Sequence, residues 1–140
     1  MSCMVTGINL FAVLAAAVVG WLIGGLWYSP VLFGNIWIKE MKKSPKELET
    51  MKKESGKAMG LVFLVVLLEC AVLAKIFGLA GVVTLSAALK WSALLWLGFV
   101  ATTLASGVLF AGKSVKMYVI DAGHYLVIFL AAGAILAVWR

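Results

Sequence analysis

Apolar positions in this chain gather into four long runs, roughly residues 8–28, 58–77, 85–110 and 117–139. Each is about the length that an α-helix needs to cross the hydrocarbon core of a bilayer, ~20 residues. The pattern therefore predicts four transmembrane helices. The first run stops at Ser29-Pro30, because the residue before a proline is pushed out of the helical region. Residues 31–38 then read as a short interfacial or re-entrant piece. Polar positions concentrate between 39 and 57. There Ser44-Pro45-Lys46-Glu47 predicts a helix start, with Ser44 as cap, Pro45 at the first helical position and Glu47 where a capping-box acid belongs. Glu49 and Lys53 stand four apart as a favourable pair. Gly56 is expected to end or hinge this helix before the second span. Gly78 to Ser86 and Ala111 to Lys116 form the two short connectors.

Within the first run, Ala12, Ala16, Gly20 and Gly24 recur every four residues and line one helix face. No hydrophobic force draws helices together in lipid, so small residues act by letting backbones approach. Ala16, Gly20 and Gly24 mark a helix-packing face, used within the chain or between chains. Gly98, Thr102 and Ser106 repeat the spacing in the third run. The first face, and the small volume four short spans enclose, predict a homo-oligomer, with a homodimer as its simplest form. Trp27, Tyr28 and Trp37 suit interfacial anchors, where amphipathic rings sit at headgroup depth. Asn9 reads as an interfacial polar residue.

Composition strengthens the membrane reading. Of 140 residues, 64% are hydrophobic and only 13% charged. Mean hydropathy is +1.10. Soluble domains are about 45–50% apolar and about 25% charged. The predicted fold is an all-α integral membrane protein, a four-transmembrane-helix bundle with a short interfacial segment and a cytoplasmic helical loop. Residues 1–140 form a single membrane domain. The net charge of +6 does not point to nucleic acid, because the lysines lie mainly in one loop between apolar runs. Lys39, Lys42, Lys43, Lys46, Lys52, Lys53 and Lys57 share a side with Lys113 and Lys116, leaving Lys75, Lys90 and Arg140 opposite. Positive-inside bias then puts the lysine-rich loop in the cytoplasm and both termini outside the cell membrane. The loop serves either as a docking surface for anionic lipid or a partner, or as a solvated helix that sets topology. The first run lacks a preceding basic region and has span length, so it reads as a span and not as a cleavable leader. Cys3 and Cys70 read as free thiols.

Ionisable residues deep in a bilayer are costly, at least about 2.5–3.5 kcal/mol on insertion scales, and tend to serve function. Glu69, Asp121 and His124 stand out. Asp121 and His124 share a face of the fourth span, with Tyr125 beside it. The expected site is a cluster in which Glu69 on the second span faces Asp121, His124 and Tyr125 on the fourth. It would bind a small ion or solute or relay protons, or else would join the two helices by hydrogen bonds alone. Lys75 and Lys90 read as snorkelling residues. Thr102, Thr103 and Ser106 are expected to satisfy backbone carbonyls of their own helix. There is no phosphate loop, nucleotide fingerprint, zinc helix motif or nucleophile elbow, so no catalytic residue and no cofactor is expected. One histidine per chain excludes a multi-histidine metal or haem site within a single copy. A non-catalytic accessory subunit of a larger membrane complex is the alternative reading.

Three stretches carry a family resemblance. Trp27-Tyr28-Ser29-Pro30, with Leu32-Phe33-Gly34 and Trp37, is the first. Leu97-Gly98-Phe99-Val100-Ala101-Thr102-Thr103 is the second. Ile120-Asp121-Ala122-Gly123-His124-Tyr125, ahead of Gly133, Ile135, Leu136 and Trp139, is the third. Together they resemble the domain of unknown function 1761 family. The resemblance implies a small bacterial-type membrane protein and no established activity. Related sequences often place tyrosine before histidine in the third stretch, whereas this chain reads Gly123-His124-Tyr125.

Overall fold

The computed structural model describes residues 8–139. Cys3 and Arg140, used in the sequence reading, lie outside the described residues. Among the described residues every regular element is helical. The helices are α1 (Leu10–Trp27), α2 (Gly34–Met41), α3 (Pro45–Ala80), α4 (Leu85–Phe110) and α5 (Val115–Val138). All but α2 are long and apolar enough to cross a membrane. Within α4, Trp96–Ala101 adopts π geometry, which the apolar pattern did not foretell.

The helix starts follow from local side-chain chemistry. A capping oxygen satisfies N–H groups that have no partner in the first turn. Asn9 Oδ1 accepts from the N–H groups of Phe11 at 3.0 Å and Ala12 at 3.2 Å. Ser44 Oγ accepts from Glu47 N at 3.2 Å, with Pro45 at the helix start. Thr84 and Ser114 do the same for Ala87 and Met117, both at 3.1 Å. At the other end of α3, Gly81 takes a left-handed φ of 68°, and Val82 N donates to Phe77 O at 2.9 Å.

Gly56 neither ends nor hinges a helix: α3 runs unbroken for 36 residues. A C-terminal stop needs a left-handed residue and a new partner for the freed carbonyls. Gly56 has neither, stands exposed, and is followed by the helix formers Lys57, Ala58 and Met59. An interior glycine costs only about 1 kcal/mol, which long flanking helices absorb. The expected Glu49–Lys53 pair is present at 3.8 Å, on the exposed polar half.

The chain turns sharply between α1 and α2. Phe33 N donates to Trp27 O at 3.0 Å and Gly34 N to Ser29 O at 2.9 Å. A Cβ on Gly34 would collide with the Tyr28 carbonyl oxygen, so only glycine lets the backbone pass there.

Helix α1 packs on both α3 and α5. Ala12, Ala16, Ala17 and Gly20 are buried within the chain. A Cβ on Gly20 would lie 3.0 Å from Val66 Cγ1 and 3.3 Å from Ile128 Cγ2, so the glycine wedges α1 between α3 and α5. The small-residue face is therefore consumed inside one copy and is not left for a second. Helix α4 covers another side of α5, where Ala88 and Ser92 meet Gly133. The second small face, Gly98, Thr102 and Ser106, stays exposed with nothing packed against Gly98. Large apolar side chains cover the exterior: Phe11 and Phe99 are each 73% exposed and Leu68 is 65% exposed.

Candidate functional site

Helix α5 carries the polar centre, and the turn after α1 closes over it. Tyr28 is the C-terminal cap of α1, and Trp37 projects from α2. Both donate to one oxygen of Asp121. Tyr28 Oη lies 2.6 Å and Trp37 Nε1 3.1 Å from Asp121 Oδ1. The first lies at the short end of the range for a hydroxyl donor. Trp27 Nε1 donates to Ile120 O at 2.9 Å, and Trp96 Nε1 donates to Ala122 O at 2.8 Å. Tyr118 Oη donates to Ala101 O at 3.0 Å, at the point where the π segment returns to α-helix. Three consecutive residues of α5, Ile120 to Ala122, are thus held by aromatic donors from three elements. Trp27, Tyr28 and Trp37 direct their polar edges inward onto α5.

His124 sits one turn further along, 7% exposed. Its ring lies 4.9 Å from the rings of both Tyr28 and Tyr125 and 6.3 Å from that of Trp27. Gly24 makes room for it: a Cβ there would stand 3.0 Å from His124 Nε2. Both imidazole nitrogens are buried and neither has a hydrogen-bond partner. A neutral imidazole always carries one N–H and one acceptor nitrogen. Leaving such groups unmet costs about 1–3 kcal/mol each.

Glu69 lies elsewhere. It borders a cavity of about 330 Å³ between α3, α4 and α5, together with Val72, Leu95, Phe99, Val100 and Phe129. Its Oε2 is buried without a partner. The four residues expected in one cluster thus fall into two groups. Asp121, His124 and Tyr125 gather with Trp27, Tyr28 and Trp37, whereas Glu69 makes no hydrogen bond to them. The cause is the position of α1, which stands between α3 and α5 and keeps their direct contact slight. A second cavity, of about 380 Å³, joins the lysine-bearing segments to the centre; Trp37, Glu40, Lys42, Lys113 and Asp121 border it.

Sequence reading gave Trp96 and Tyr118 no hydrogen-bonding role and did not foresee the π segment. Thr102 and Thr103 donate back to the carbonyls of Gly98 and Phe99, at 2.7 and 2.6 Å. Such back-bonding beside a glycine bends helices and was the available signal for irregular geometry. Among the described residues no three His, Cys, Asp or Glu side chains are placed to hold a metal ion together. Cys70 is a buried free thiol.

One family model, described as "Protein of unknown function (DUF1761)", matches residues 11–137. No curated protein and no solved structure shows a match to the chain.

Proposed function

The chain belongs to the DUF1761 family, and from that premise we propose a small integral membrane protein that binds and passes a small solute or ion at the polar centre of α5. The membrane placement rests on four helices of span length and on the apolar side chains that cover the exterior. Water-soluble monomers seldom expose so much contiguous apolar surface. The polar half of α3, residues 45–57, would project from the membrane by about 20 Å at 1.5 Å per residue. With the lysine-bearing segments in the cytoplasm, both termini lie outside the plasma membrane.

His124 carries the functional reading. A buried imidazole with both nitrogens unmet, one turn along α5 from Asp121, offers a donor and an acceptor to a polar solute. Asp121 supplies negative charge, and the aromatic donors fix only its Oδ1. The cavity at the lysine end offers a route to Asp121 from the cytoplasmic side. Protons are the first species to test. Vesicles containing the protein and an internal pH dye, driven by a potassium gradient with valinomycin, should acidify faster than empty vesicles. Asp121→Asn and His124→Ala should return the rate to that of empty vesicles while the chain stays monodisperse. Equal rates in the wild-type chain and both variants would leave the cluster as structural hydrogen bonding only.

The exposed Gly98–Thr102–Ser106 face favours a second reading. It would let α4 pack on another membrane helix, either in a homodimer or in a larger complex to which this chain is accessory.

A further inference from the structure

The Glu69 cavity has a different character from the centre on α5. Its lining is apolar except for Glu69 itself: no lysine, arginine, histidine or hydroxyl group borders it. Glu69 is half-buried, and its buried oxygen Oε2 has no partner; an ionised carboxylate so placed is disfavoured unless a counter-charge or a proton reaches it. Among the described residues no cationic side chain borders the cavity, so a counter-charge there would come from outside.

The shape of the lining selects the kind of cation. Hard metal ions require about six oxygen ligands, and one carboxylate cannot provide them. A primary ammonium brings three N–H donors and would leave most of them unmet. A quaternary or charge-delocalised cation brings none. Its apolar groups would meet Val72, Leu95, Val100 and the rings of Phe99 and Phe129, and its charge would meet Glu69. The volume, about 330 Å³, falls in the range of small-molecule sites. Leu68 and Phe99 at the rim are largely exposed, so the cavity opens onto the outer apolar surface and not onto a polar end. The π segment sets Phe99 and Val100 at this wall, and the Trp96 hydrogen bond to Ala122 fixes its rotation. We infer that the cavity binds a lipophilic quaternary or phosphonium cation that enters sideways from the lipid and pairs with Glu69. The inference depends on the membrane placement proposed for the chain but not on proton passage at α5.

The test is equilibrium binding of tetraphenylphosphonium to the full chain in lipid nanodiscs without any gradient. Saturable binding at one site per chain is expected. Glu69→Gln should weaken it by about tenfold or more, the effect of losing a desolvated charge partner. Val100→Phe, which fills the cavity and keeps the carboxylate, should also abolish it and serves if Glu69→Gln does not fold. Tetraphenylborate has the same shape and opposite charge and should bind no better than to empty discs. Equal binding of the two probes would assign the cavity to lipid chains and overturn the inference. Binding unchanged in Glu69→Gln, or no saturable binding, would overturn it too. So would disulfide cross-linking of Phe99→Cys between two copies at a rate that saturating phosphonium does not lower. A chain that fails to enter discs at all would instead refute the membrane placement.

Discussion

Gly133→Ala tests how tightly α4 and α5 are packed. A Cβ at Gly133 would overlap Ser92 Oγ and would lie 3.3 Å from Ser92 Cβ and 3.4 Å from the Ala88 carbonyl oxygen. Both Ala88 and Ser92 are fully buried, so neither can move into open space. Overpacking of this kind costs about 1–3 kcal/mol. Ser92 Oγ also lacks a hydrogen-bond partner. Ser92→Ala therefore removes the colliding atom and relieves an unmet polar group, itself worth about 1–3 kcal/mol. Ser92→Ala alone should be neutral or stabilising. The double variant should recover most of the loss, giving a coupling of about 1–2 kcal/mol between neighbouring sites. Denaturant titration of the detergent-solubilised chain, followed by tryptophan fluorescence, measures all four corners of the cycle. Gly133→Ala as stable as the parent, or a double variant no better than Gly133→Ala, would refute the packing argument.

Further expectations concern the polar centre and its turn. Tyr28→Phe should destabilise the chain by about 1.5–3 kcal/mol, the usual worth of a hydrogen bond to a charged group, and Trp37→Phe by a similar or smaller amount; the same titration checks both. Gly34→Ala should abolish accumulation of folded chain, because its Cβ meets backbone and not a movable side chain; yield of monodisperse protein reads this out. Cys70, 1% exposed, should react with maleimide far more slowly than a cysteine placed at Ser55, which is exposed on the polar half of α3.

Much of the secondary structure was legible because it depends on neighbours in sequence. Run length set the four long helices, and Ser44 marked the start of α3; Asn9, Thr84 and Ser114 cap the other long helices although the sequence reading did not assign them that role. The end of α1 at Ser29-Pro30 followed from proline's steric demand on the residue before it. Gly56 misled because glycine permits a helix to end without compelling it to. The π segment escaped notice because apolar periodicity does not record a single widened turn. In the site, Asp121, His124 and Glu69 were identifiable one by one, since an ionisable group within an apolar run is conspicuous.

What residue types and spacing determined, then, was an all-helical chain with four long apolar helices and a few misplaced polar groups. Which of those groups would meet was decided by tertiary structure alone. Helix α1 wedges between α3 and α5 on its glycines, so Glu69 is held apart from Asp121 and His124. The turn at Gly34 folds Tyr28 and Trp37 back onto a residue more than eighty positions away. A helix face repeats every 3.6 residues whatever it packs on, so spacing says which side chains share a face but not which face lies opposite.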